Sequence, residues 1–129
     1  VFDHTFADDQ QILSIAVVGG HAYFFKNDSI MDYDAARKTL SVLLHLGSGK
    51  AVPSESMRAA RDGSVFGLFG NTVGRLYPSS HTIEYYDATK GKATQGLTIG
   101  LDGTVYFGSY TDMGMLHPKS PSPPLHSGQ

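Results

Sequence analysis

A chain of 129 residues, with 40% apolar and 17% charged residues, has the size and balance of one ordinary globular domain. Its net charge of −2 gives no electrostatic footing for nucleic acid or an anionic membrane. The absence of Cys rules out disulfides, thiolate zinc sites and a Cys nucleophile together.

The opening Val1-Phe-Asp-His-Thr-Phe reads as the end of a strand with no upstream partner, the closing piece of a preceding element. Ile12–Val18 is apolar and β-branched, and Gly19-Gly20 then separates it from His21-Ala-Tyr-Phe-Phe-Lys, which predicts a hairpin. Asn27-Asp28-Ser29 is a turn cluster, because Asn and Asp side chains bond their own backbone in turns. Ile30–Asp34 alternates apolar and polar residues as a half-buried strand should. Ala35–Leu46 supports two readings: a helix capped by Asp34 and Gly47, or a tight turn at Ala35–Lys38 followed by a strand over Thr39–Leu46. A similar ambiguity covers Pro53–Arg61. The longest apolar runs, such as that within Leu40–Leu46, are far too short to span a bilayer.

Met57–Pro78 is strand, Asp62-Gly63 turn, strand, polar turn and strand again; Asp-Gly between apolar runs is a strong hairpin signal. This stretch has two relatives. Gly20, Gly63 and Gly103 align at spacings of 43 and 40 residues. Before them stand Ile15-Ala-Val-Val, Arg58-Ala-Ala-Arg and Thr98-Ile-Gly-Leu, and after them Ala22-Tyr-Phe, Val65-Phe-Gly and Val105-Tyr-Phe. The polar turns Asn27-Asp28, Gly70-Asn71 and Tyr110-Thr111 then coincide without gaps. His81–Asp87 supplies a fourth strand in the second copy, followed by a turn at Ala88–Lys92. The third copy instead runs into Pro118-Lys-Ser-Pro-Ser-Pro-Pro, whose four prolines cannot sustain a sheet ladder. A period near 40 residues with about four short strands per unit is the mark of β-propeller blades. The repeat also demands the strand reading of Thr39–Leu46. The expected architecture is all-β: three consecutive four-stranded antiparallel blades, over about 11–46, 54–88 and 95–118, the last incomplete. Residues 1–10 end a preceding blade, and 119–129 form a Pro- and Ser-rich tail without structure.

Leu101-Asp-Gly-Thr-Val-Tyr-Phe-Gly-Ser-Tyr, Asp62-Gly-Ser-Val-Phe-Gly-Leu-Phe-Gly and Gly19-Gly-His-Ala-Tyr-Phe-Phe resemble blades of the β-propeller families that include NHL, SMP-30-like, quinoprotein-like and kelch repeats. With no Trp, the chain lacks the Trp-Asp ending of WD40 blades and the Trp that docks quinoprotein blades. Three blades do not close a ring, since propellers typically have about four to eight. The remaining blades are therefore expected from the same chain or from partner chains.

The resemblance implies a ligand face built from the turns between second and third strands. In this sequence those are Asn27 with Asp28, Asn71 with Thr72, and Tyr110 with Asp112, with Arg75 close enough to the Asn71 turn to join it. The competing reading of these Asn and Asp residues is plain turn formation. Asp62 and Asp102, on the opposite face, read as turn formers. His21 and His117 are of the residue type suited to acid–base work, but neither has an evident partner. No grouping of His, Asp and Glu has metal-site spacing, and nothing calls for a cofactor. The leading function is a ligand-binding or interaction module for a carbohydrate or another small polar ligand. The alternatives are part of a propeller enzyme, a lactonase-like hydrolase or a polysaccharide or cyclic-peptide lyase, and a protein–protein scaffold.

Overall fold

A computed structural model describes residues 6, 12, 14–26, 28–46, 53–93 and 95–119, with the side chains of 53–55 excepted. Three antiparallel sheets follow one another along the chain. The first contains β1 (Ile15–Val18), β2 (His21–Lys26), β3 (Ser29–Asp34) and β4 (Thr39–His45). The second contains β5 (Pro53–Ala59), β6 (Val65–Phe69), β7 (Thr72–Tyr77) and β8 (Thr82–Tyr85). The third has three strands, β9 (Gly96–Ile99), β10 (Val105–Gly108) and β11 (Met113–Leu116). Within each sheet the strands lie in chain order, every neighbour joined by a hairpin. The first strands β1, β5 and β9 pack side by side, and the Met57 amide donates to Ser14 Oγ at 3.0 Å across the first of these junctions. The sheets thus stack face to face about their innermost strands, as propeller blades do.

Ala35–Leu46 resolves as turn and strand. Asp34 Oδ1 accepts from the amides of Ala36 and Arg37 at 3.1 and 3.2 Å, closing a local turn that ends on Lys38 at φ 54°. That left-handed residue directs the chain back into pairing with β3 and forecloses a helix. Pro53–Ala59 is likewise a strand, its pairing with β6 irregular between Pro53 and Met57.

The β1–β2 hairpins come in two forms. Gly19 and Gly20 both have positive φ, 53° and 87°, and close a two-residue turn. In the other blades the Asp does not adopt positive φ; only Gly63 and Gly103 do, each at 89°. There Ala60 and Gly100 accept from the glycine amides and donate to Ser64 and Thr104 carbonyls, making a three-residue loop with one extra residue. The pairings Val17↔Ala22, Ala59↔Val65 and Ile99↔Val105 consequently make Val17, Ala59 and Ile99 equivalent. The gapless alignment of the three first strands is off by one residue in the first blade.

That corrected register explains the burial. The middle blade is covered on both sides, so β6, Val-Phe-Gly-Leu-Phe, is buried at every position. One face packs Met57, Val65, Phe69 and Leu76 against Ala16, Tyr23 and Ile30 of the first blade. The other packs Phe66, Leu68 and Val73 against Leu97, Val105 and Phe107 of the third. Ile15, Met57 and Leu97 are equivalent, yet they are 54%, 2% and 5% exposed. At the far end Met113, the equivalent of buried Val73, is exposed. Both outer faces therefore carry blade-type apolar surface with no blade on it among the described residues. Ile15→Thr should change stability by less than about 0.5 kcal/mol, and Met57→Ala should cost about 2–5 kcal/mol. Equal urea-unfolding midpoints for the two variants would contradict this assignment of inner and outer faces.

Candidate inter-blade clefts

The turns between second and third strands are structural fastenings. Gly70 and Asn71 have φ 59° and 65°, the paired left-handed residues of a tight hairpin turn. The Asn71 carbonyl accepts from the amides of Gly91 at 2.8 Å and Ala93 at 3.4 Å, and so anchors the crossover into the third blade. Asp28, at φ 63°, does the same for the preceding crossover by accepting the Leu46 amide at 2.8 Å. Asp112 exchanges hydrogen bonds with Ser109 across its own turn, and Tyr110 is 88% exposed. Asn27 lies outside the described residues. Of the described turn residues, none of Asp28, Asn71, Tyr110 and Asp112 lines either of the two clefts described below.

Arg75 does not join the Asn71 turn. It lies four residues further along the chain, about 13 Å away at strand rise. Its guanidinium instead reaches the β5–β6 turn on the opposite face. Nε donates to Ser64 Oγ at 3.0 Å, Nη1 to the Lys119 carbonyl at 2.7 Å and Nη2 to Asp62 Oδ2 at 2.5 Å. The group also lies over the rings of Phe66 and Tyr77, 4.9 and 5.2 Å from their centroids. Asp62 Oδ1 accepts from the amide and hydroxyl of Ser64 at 2.9 and 2.6 Å. Burial alone would raise the Asp62 pKa, but the two Ser64 bonds, reinforced by Arg75, hold it below the usual carboxylate range. Asp102 is likewise a turn former, its carboxylate held down by the Thr104 amide at 3.0 Å.

Two clefts among the described residues lie on this opposite face. A cleft of about 570 Å³ lies between the first and second blades, lined among others by His21, Asp32, Asp62, Tyr77, Ser79 and His81. A second, of about 410 Å³, lies between the second and third blades, with Asp62, Phe66, Arg75, Thr104, His117 and Lys119 among its lining. The two are copies of one repeat site. The strand registers make His21 equivalent to Ser64 and Thr104, Tyr23 to Phe66 and Tyr106, and Asp32 to Arg75 and Met115. Tyr77 and His117 then hold matching positions on the facing blades, and Asp62 sits on the ridge shared by both clefts.

The first cleft contains a pair that sequence left undetected. His21 Nδ1 lies 2.8 Å from Asp32 Oδ1, with the imidazole stacked on Tyr23 at 6.0 Å and 7°. The bond to Asp32 raises the His21 pKa, burial opposing it. Extending the β2–β3 hairpin register from its turn would have found the partner: Tyr23 pairs with Asp32 and His21 with Asp34, so all four side chains share one face. Across the cleft, burial and a hydrogen bond to Glu84 at 2.9 Å push the Tyr77 phenol up to about 12, so it stays protonated at neutral pH. In the second cleft Thr104 Oγ1 is bonded to His117 Nδ1 at 3.2 Å. No group of three His, Cys, Asp or Glu side chains suited to a metal ion occurs among the described residues. No helix there is long and apolar enough to cross a membrane.

No family model matches the chain, and no curated protein matches it. Among solved structures it is similar to the extracellular domain of a hybrid two-component system from B. thetaiotaomicron, with TM-score 0.59 and 14% identity over 85% of this chain and 16% of that one. It is also similar to virginiamycin B lyase from Staphylococcus aureus, with TM-score 0.55 and 17% identity over 78% of this chain and 39% of the lyase. The chain thus spans well under half the length of either neighbour. At these identities the likeness concerns the fold, which is all-β and propeller-like, built here of sheets of four, four and three antiparallel strands.

Proposed function

We propose that this chain is a ligand-binding module of a propeller protein, and that its ligand is a carbohydrate or another small polar molecule held in the inter-blade clefts. One observation carries the reading: a cleft with polar side chains and an aromatic in its wall recurs at equivalent repeat positions between successive blades. Repetition of a site is what a module that reads a repetitive or multiply presented ligand requires, because weak sites gain by acting together. Hydroxyls, imidazoles and carboxylates along an aromatic wall suit a polyhydroxylated ligand, whose many donors and acceptors need matching partners.

Amide chemical-shift titration with a panel of mono- and oligosaccharides tests this. Binding should shift resonances at His21, Ser64, Ser79, Thr104 and His117. Shifts confined to Asp28, Asn71, Tyr110 and Asp112 would move the site to the turn face, and silence across the panel would dispose of the carbohydrate reading. The enzyme alternative draws on the His21–Asp32 pair, since an imidazole oriented by a carboxylate is a general acid–base unit. Turnover of an ester or glycan that His21→Ala abolishes would favour it.

A further inference from the structure

Although the two clefts are copies, their charges differ. On strand three the same repeat position holds Asp32, Arg75 and Met115 in successive blades. Among the described residues, the first cleft is lined by the carboxylates of Asp32 and Asp62, with no Lys or Arg and with His21 and His81 as its bases. Lining the second are Arg61, Arg75 and Lys119 against Asp62 and Asp102. Asp62 is occupied from the ridge by Ser64 and Arg75, so Asp32 is the acidic group left to define the first cleft. Its side chain is 17% exposed, within reach of a ligand, and its neighbour in the cleft is an imidazole whose charge depends on pH.

Resting on the cleft-binding reading above, we propose that the first cleft selects a polar ligand bearing a protonated amine, with Asp32 as its counter-ion and His21 as a proton-exchanging competitor for that carboxylate. When His21 is protonated it neutralises Asp32 itself; when neutral it leaves the carboxylate charge to the ligand. Asp32, Asp34 and Arg37 of its own blade act on His21, and Asp62, Tyr77 and His81 of the facing blade line the same cleft. Amine binding therefore strengthens as pH rises through the His21 titration and is accompanied by proton release.

Three acyclic polyols of nearly equal size and different charge test the inference: N-methylglucamine, sorbitol and gluconate. Calorimetry and shift mapping on the 129-residue chain should give N-methylglucamine up to about fivefold tighter binding than sorbitol at His21 and Asp32, the range of one partly exposed ion pair. Gluconate should bind there more weakly than sorbitol. In Asp32→Asn the three probes should reach parity, with retained sorbitol binding showing that the cleft is intact. In His21→Gln the amine's affinity should lose its dependence on pH between about 5.5 and 8, a range in which the probe stays charged. Sorbitol binding without amine preference, or an amine preference that survives Asp32→Asn, overturns the charge selection and leaves the module reading in place. Failure of all three polyols to shift any cleft residue overturns both.

Discussion

Asp62→Ala is expected to lower stability by about 2–3 kcal/mol, more than Arg75→Met at about 1–2 kcal/mol. Arg75 is 4% exposed, so removing Asp62 strands a guanidinium where water can replace little of what is lost. The reverse substitution leaves Asp62, whose side chain is 32% exposed, bonded to Ser64 and open to solvent. Met is the informative replacement, because Met115 occupies the same position in the third blade. The double variant should be more stable than Asp62→Ala alone, since no buried charge is then left unpaired. Urea unfolding of the four proteins measures this; an Asp62→Ala protein as stable as the parent would refute the ion pair as a structural element. The Asp62 pKa is lowered on folding, so its contribution is present above the unfolded carboxylate value. It is lost as pH falls through the lower folded value, and the gap between Asp62→Ala and the parent should close only below the pH at which an unfolded carboxylate titrates.

Phe69→Ala should cost about 3–5 kcal/mol. Phe69 is 1% exposed, lies over the cross-strand glycine pair Gly67↔Gly74 and meets Tyr85 in a T-shaped contact. A Cβ on Gly74 would stand 2.7 Å from the ring, and one on Gly67 2.9 Å. The two glycines are thus a seat for the aromatic, and Gly74→Ala should cost about 1–3 kcal/mol by displacing it. In a Phe69→Ala background the clash is gone and Gly74→Ala should become nearly neutral. Additive effects in that double-mutant cycle would show that ring and glycine do not share a site.

How much of this was readable beforehand varied with the range of the interaction. Strand positions, the polar turns, the strand over Thr39–His45 and the propeller-like stacking all followed from local chemistry repeated three times: turn residues at fixed offsets and apolar runs between them. The turn-forming role of Asp62 and Asp102 was legible for the same reason. The extra residue in two of the first hairpins was not, because Gly-Gly and Asp-Gly advertise a tight turn equally well; only the hydrogen bonds of Ala60 and Gly100 distinguish the forms. Arg75 stands close to Asn71 in sequence but not in space, because a strand carries a side chain away from its turn at more than 3 Å per residue.

The all-β character, the repeat and the register of the second and third strands are legible in the chain alone, since strand, turn and pairing are each set by neighbours within about ten residues. Where concave, chemically differentiated surface lies depends on how the blades meet. The clefts form where one blade meets the next, between residues some 40 positions apart. Their character depends on which side chains each blade presents to that gap at equivalent repeat positions: Asp32 bonded to His21 in one, and Arg75 locked to Asp62 in the other.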